Sequence, residues 1–292
     1  MCDDNNLDDM MDELRKNSDV TRRRFGALSL GAGIAEILPR AASAAEVTEA
    51  DLEIKTPDGV ADAYFVHPTK GTHAAVLIWT DIFGLRPAFK QMANRLAESG
   101  YAVLVPNPFY RISKVPVFPT GTKMQDPEGR KLLFAAAGTL TPEVQVADAK
   151  AFIAFLDSQP AVNKSIKMGT TGYCMGGSIT MRTAAAFPER IGAAASFHGG
   201  GLVTDKPESP HLLVAKIKAH CLFAIAEDDD MKQPEAKDVL HAVFAESKVP
   251  AEIEVYAGTK HGWCPPDSAA YNEIQAEKAW SRMLALFKAG LA

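Results

Sequence analysis

The chain has 292 residues, 47% of them hydrophobic, which is apolar material for one large α/β domain or two small ones. A net charge of −5 excludes a broad basic surface for nucleic acid. Of four cysteines, Cys174, Cys221 and Cys264 lie beyond residue 45, and an odd number with no CxxC spacing argues against a disulfide framework or a zinc site.

The first 45 residues read as a segment apart from the fold. Residues 1–20 are polar and acidic, with Asp3, Asp4, Asp8, Asp9, Asp12 and Glu13. Then come Arg22-Arg23-Arg24-Phe25, a mildly apolar run from Gly26 to Leu38, and Ala42-Ser43-Ala44. Paired arginines before a weakly hydrophobic run and a small-x-small site resemble a twin-arginine export signal, although Glu36 interrupts the run. The run is too short to span a bilayer as an ordinary helix. The expectation is a signal peptide and disordered N-terminus over 1–45, read by the twin-arginine export machinery. The mature domain, 46–292, would lack a membrane span and be periplasmic or otherwise exported.

From Ala45 onward, strand-like and helix-like segments alternate. Asp51–Thr56 and Ala61–Val66 flank Pro57-Asp58-Gly59 and predict a hairpin. Ala74–Trp79 is a continuous apolar run, as a strand buried on both faces requires. Pro87–Ser99 places Phe89, Met92, Ala93 and Leu96 on one helical face, and Tyr101–Val105 is the next buried strand. Asn107 to about Asp126 is a long, proline-containing irregular connection. Thr141-Pro142-Glu143 is a helix start, with a threonine cap and proline in the first turn. Strands follow at Ile191–Phe197, Cys221–Ala226 and Ala251–Tyr256, with helices around Val239–Phe244 and Trp280–Phe287. This alternation predicts a mostly parallel sheet with helices on both faces. Opened by an antiparallel hairpin, it fits the α/β-hydrolase fold. A nucleotide-binding doubly wound fold competes, but the chain has neither a GxGxxG after its first strand nor a GxxxxGK[ST].

Ile166–Gly177 is the central stretch: a short β run, a sharp turn and a helix beginning near Met175, with Cys174 at the tip between Gly172 and Gly176. This is the layout of a nucleophile elbow, with cysteine as the nucleophile. The glycines leave room for a strained strand-to-helix turn, and the helix N-terminus favours a thiolate. A cysteine nucleophile needs a base, and the base needs an orienting acid. Downstream, one strand runs into Glu227-Asp228-Asp229-Asp230 and the next into His261-Gly262-Trp263, in the chain order of α/β-hydrolases. The elbow geometry would offer the Met175 N–H, with that of Ile82, as an oxyanion hole. His198, after the strand following the elbow, reads as a structural histidine that could line the site. Cys221 reads as inert core and Cys264 as oxidisable. Trp79, Phe83, Tyr110 and Trp263 fit either an apolar wall of the site or the core.

These residues carry a resemblance. Gly172-Tyr173-Cys174-Met175-Gly176-Gly177, Asp81-Ile82-Phe83-Gly84, Pro106-Asn107-Pro108-Phe109-Tyr110-Arg111, the acid cluster and His261-Gly262-Trp263 resemble the dienelactone hydrolase (carboxymethylenebutenolidase) family from about Asp51 onward. The resemblance implies a Cys174–Asp229–His261 triad, no cofactor or metal, and a small lactone or ester substrate. Asp229 matches the family's Glu-x-Asp, with Asp228 and Asp230 as alternatives. Where the family usually has a glutamate on the resting thiol, this chain has the shorter Asp81. Arg111 matches the first of two arginines that bind the substrate carboxylate, whereas Pro265 stands at the second position. The alternative is a non-catalytic binding protein for a small ligand on the same scaffold.

Overall fold

The computed structural model describes residues 45–291, so the export-signal reading of 1–45 lies outside the described residues, Ala45 apart. The hairpin joins β1 (Val47–Thr56) and β2 (Gly59–Pro68) antiparallel, in unbroken register from Val47 opposite Pro68 to Thr56 opposite Gly59. Both strands run longer than their apolar patterns suggest. Backbone pairing extends β1 through largely exposed residues that carry no burial signal.

Six further strands complete the sheet: β3 (Ala75–Trp79), β4 (Ala102–Pro106), β5 (Met168–Tyr173), β6 (Ile191–Phe197), β7 (His220–Ala226) and β8 (Ala251–Tyr256). Their order is β1-β2-β4-β3-β5-β6-β7-β8. β2 runs antiparallel to β4, and β3 to β8 run parallel. The fold is the mostly parallel sheet of the α/β-hydrolase class.

Two apolar layers sandwich the sheet. Ala75, Leu77 and Trp79 of β3 face one layer, Val76 and Ile78 the other, as the two-residue strand period demands. Helix α1 (Pro87–Glu98) packs Phe89, Met92, Ala93 and Leu96 into the second layer. The first layer takes Phe152 and Leu156 from α3 (Pro142–Ser158) and Ile179 and Met181 from α4 (Met175–Ala186). Fully burying one such Leu, Ile, Phe or Met is worth about 1.5–3 kcal/mol. Helix α6 (Ala236–Ser247) adds Leu240 and Phe244 to that layer, and α7 (Glu273–Gly290) closes the other with Met283 and Phe287.

Two helices depart from the sequence reading. α2 (Pro127–Ala137) follows the irregular connection directly, and the Asp126 carboxylate caps it by accepting the Gly129 N–H at 2.9 Å. Its apolar face is narrow, with only Leu133 and Ala136 as buried hydrophobics, so periodicity does not reveal it. The acid cluster, which the sequence reading leaves unassigned, forms the first turn of a short helix, α5 (Glu227–Lys232). Carboxylates are favourable there because they face the positive end of the helix dipole. Among the described residues no helix is long and apolar enough to cross a membrane.

Candidate active site

The carboxyl ends of β3, β5, β6, β7 and β8 deliver the residues that matter. Between β5 and α4, Cys174 adopts φ 54° and ψ −115°, a left-handed turn that is costly for a residue with a Cβ. The glycines make this turn possible by close approach. A Cβ on Gly172 would lie 2.0 Å from the Gly176 carbonyl oxygen, and one on Gly176 would lie 2.4 Å from that of Trp79. The elbow is thus wedged against its own helix and against β3, as the sequence anticipates.

His261 lies in the loop after β8, and the acids lie in α5 after β7. The two segments are tied together along their length. The Asp228 carboxylate accepts the His261 backbone N–H at 2.7 Å, and the Thr259 hydroxyl accepts the Glu227 N–H at 3.2 Å. Asp229 Oδ2 stands 2.6 Å from His261 Nδ1. Cys174 lies near enough to the His261 ring to influence its charge. Asp230 points elsewhere and accepts from Lys237 Nζ at 2.7 Å. Lys232 approaches Asp228 at 3.0 Å and Asp229 at 3.3 Å.

Burial works against a charge on His261, but the hydrogen bond to Asp229 and the nearby Cys174 outweigh it and raise the imidazole to about 10. Burial likewise disfavours the Asp229 carboxylate, yet His261 and Lys232 hold it below its usual range. The arrangement can keep a protonated imidazole beside a sulfur nucleophile and an ionised acid behind it. Neither the Ile82 nor the Met175 N–H has a hydrogen-bond partner among the described residues. Met175 is the first residue of α4, where backbone donors are left free by helix geometry.

Two expected site residues are engaged elsewhere. The Asp81 carboxylate is gripped by Arg86, with Nη1 to Oδ1 at 2.7 Å and Nη2 to Oδ2 at 2.9 Å, and Oδ1 also accepts the Phe83 N–H at 2.9 Å. A contact with the resting thiol is therefore replaced by an ion pair. Arg86 reaches on to Asp267 at 2.7 and 3.0 Å, linking the loop after β3 to the loop after His261.

Arg111 is the second. It donates to Asp58 at 3.0 and 2.6 Å and to Asp148 at 2.8 and 2.7 Å. Asp148 is almost completely buried, and a buried carboxylate needs a cation; Arg111 supplies it and is not presented as a substrate anchor. The aromatic candidates resolve mostly as core. Trp79 packs on Phe152, Trp263 stacks on Tyr256, and Tyr110 donates to Asp148 at 2.9 Å. Phe83 is partly exposed beneath the Arg86 guanidinium. Cys264 is buried, which pushes its thiol well up and removes it as an oxidisable site; Cys221, also buried, is pushed up to about 12.

His198 does more than its place in the sequence suggests. Its Nδ1 accepts the Cys174 N–H at 3.2 Å, and its ring meets that of His261 edge-on, centroids 5.1 Å apart. The one signal in the sequence is a histidine following directly on the strand beside the elbow.

A cysteine on a strand-turn-helix elbow, a histidine after the last strand and an acid after the strand before it lie on the sheet of an α/β-hydrolase fold. The family model of the dienelactone hydrolase family matches residues 61–291. The protein belongs to that family and is a hydrolase acting on lactone or ester bonds. It is 27% identical over 259 residues to a carboxymethylenebutenolidase of Rhodococcus opacus, covering 84% of this chain and 94% of the relative. Among solved structures, it resembles the dienelactone hydrolase-like promiscuous phosphotriesterase P91 from metagenomic libraries. That match has 21% identity and a TM-score of 0.67 over 85% of this chain and all of the other. A dienelactone hydrolase from Anabaena variabilis matches at 17% identity and a TM-score of 0.58, again over 85% of this chain and all of the other.

Proposed function

We propose that the protein opens lactones or cleaves small esters with a Cys174–His261–Asp229 triad. The observation that carries this is the His261 ring, joined to Asp229 through Nδ1 at 2.6 Å, with its charge also favoured by the neighbouring Cys174. The Cys174 thiolate attacks the carbonyl carbon, and the oxyanion takes the N–H groups of Ile82 and Met175. Such donors contribute about 3–4 kcal/mol each to lowering the barrier. As the tetrahedral intermediate collapses, the C–O bond breaks and His261 gives its proton to the leaving oxygen. A water then attacks the thioester and gives a proton to His261, the C–S bond breaks to restore the thiolate beside the imidazolium, and the carboxylic acid leaves and loses its proton to solvent. Asp229 holds the ring orientation throughout.

The substrate class follows from charge. Arg111 is bound to two carboxylates and Pro265 replaces the second arginine, so the reading favours neutral lactones and esters over carboxylate-bearing dienelactones. The test is a hydrolysis screen of enol lactones, neutral lactones and p-nitrophenyl esters on wild type and Cys174→Ala. Turnover vanishes in the variant, and iodoacetamide labels wild type at Cys174; wild-type rates in Cys174→Ala would discard the mechanism. A strong preference for carboxylate-bearing lactones would discard the substrate reading. We also propose export through the twin-arginine route, on the strength of Arg22-Arg23 and the run after them.

A further inference from the structure

His198 directly follows β6 with φ 39°, a positive value it shares with Cys174 and Lys248 alone among non-glycine residues described. Such a backbone is strained and persists where surroundings enforce it. Here the turn serves the elbow. The His198 N–H donates to the Ala224 carbonyl at 2.8 Å, anchoring the segment to β7. The Cys174 N–H is shared between the Phe197 carbonyl at 3.1 Å and His198 Nδ1 at 3.2 Å. The Cys174 carbonyl in turn accepts from Gly177 at 3.0 Å and Gly200 at 3.1 Å. Both backbone polar groups of the nucleophile are thus held by the chain leaving β6.

The hydrogen bond fixes the ring's chemistry. A nitrogen that accepts an N–H cannot carry a proton, so Nδ1 is bare and the proton sits on Nε2. Nε2 is buried and has no hydrogen-bond partner among the described residues. A residue serving only to fill space would be better apolar, because a buried unpaired donor is costly. The histidine must therefore be kept for Nδ1. Around it stand Tyr173 of β5, His261 and Trp263 of the loop after β8, and Asp229 of α5. Burial, reinforced by the charge on His261 and only partly opposed by Asp229, drives the imidazole down to about 3.

We propose that His198 is a positioning residue: its neutral, Nε2-protonated ring holds the Cys174 backbone through Nδ1 and walls His261 edge-on, keeping thiol and imidazole aligned. The proposal rests on Cys174 being the nucleophile. Two variants of the full chain separate hydrogen bonding from packing. His198→Asn keeps an acceptor and tolerates positive φ; His198→Phe keeps the ring volume and loses the acceptor. The readouts are the rate of Cys174 alkylation by iodoacetamide between about pH 5 and 9, and kcat and KM on p-nitrophenyl acetate.

In His198→Phe the alkylation profile departs from that of wild type and kcat falls about tenfold, with KM within about twofold. His198→Asn returns both to within about threefold of wild type. A packing role gives the reverse order, so a Phe variant equal to or better than the Asn variant overturns the proposal. If His198→Phe does not fold, as judged by circular dichroism, the Asn variant decides. A wild-type alkylation profile in it supports the proposal, and a displaced one overturns it. Wild type that hydrolyses no ester would sink the hydrolytic mechanism but leave the alkylation readout to judge His198.

Discussion

Asp229 and Asp228 act on the same histidine through different atoms, and the two effects can be separated. Asp229 bonds the ring, so it governs the proton; Asp228 bonds the backbone N–H, so it governs where the ring stands. Replacing Asp229 by Asn removes the charge that stabilises the imidazolium, and kcat/KM should fall by about 100-fold or more. Stability carries an independent signature. The folded-state value for His261 is about 10 against an ordinary 6.5, so the folded protein binds that proton more tightly than the unfolded chain. The stabilisation is complete below about pH 6.5 and disappears as pH rises toward 10. Urea unfolding across that window should show wild type losing stability more steeply than Asp229→Asn. Parallel slopes in the two proteins would mean that Asp229 does not hold the proton on His261.

At the level of elements, the site is a set of loops on strand ends, and Arg86 is the tie that keeps two of them together. It joins Asp81, next to Ile82, to Asp267, beyond His261. Burial disfavours its charge, but the two carboxylates outweigh this. Arg86→Met would strand a largely buried Asp81 and cost about 3–5 kcal/mol. The double variant Arg86→Met, Asp81→Asn should recover part of that loss in urea unfolding; no recovery would show that the pair is not the cause. Gly172→Ala drives a methyl to 2.0 Å from the Gly176 carbonyl oxygen, so soluble protein and Cys174 labelling should both be lost. Full labelling of Gly172→Ala would contradict the elbow packing. The same elements explain what sequence makes legible. Strands buried on both faces, the glycine spacing around Cys174 and the Thr141 cap are local, one-dimensional signals, and they hold. Asp81 and Arg111 depart from expectation because their partners, Arg86 and Asp148, compete for them in three dimensions, which no motif records. His198 is hard to read in sequence because a hydrogen bond to a backbone N–H leaves no mark in residue type.

For the whole molecule, the placement of every candidate catalytic group within one sheet sets an expectation for the N-terminal segment. The sheet begins at Val47, and the candidate residues lie between Asp81 and His261 on the same sheet's strand ends. The last helix, α7, closes the core by burying Met283 and Phe287 against the sheet. The resident contact nearest the boundary is the Ala45 N–H donating to the Glu98 carbonyl at 3.1 Å, a single exchangeable hydrogen bond worth about 1 kcal/mol. On the export-signal reading of 1–45, a chain starting at Glu46 should keep the hydrolytic rate of the full chain and melt within a few degrees of it, about 2–4 °C for a domain of this size. Replacing Arg22 and Arg23 by lysine in the full chain should leave that rate intact and hold the protein in the cytoplasm of an expressing bacterium, measured by cell fractionation. Truncation that lowers the melting point much further would place part of the fold before Glu46. Undiminished export of the lysine variant would remove the twin-arginine reading while leaving the hydrolase untouched.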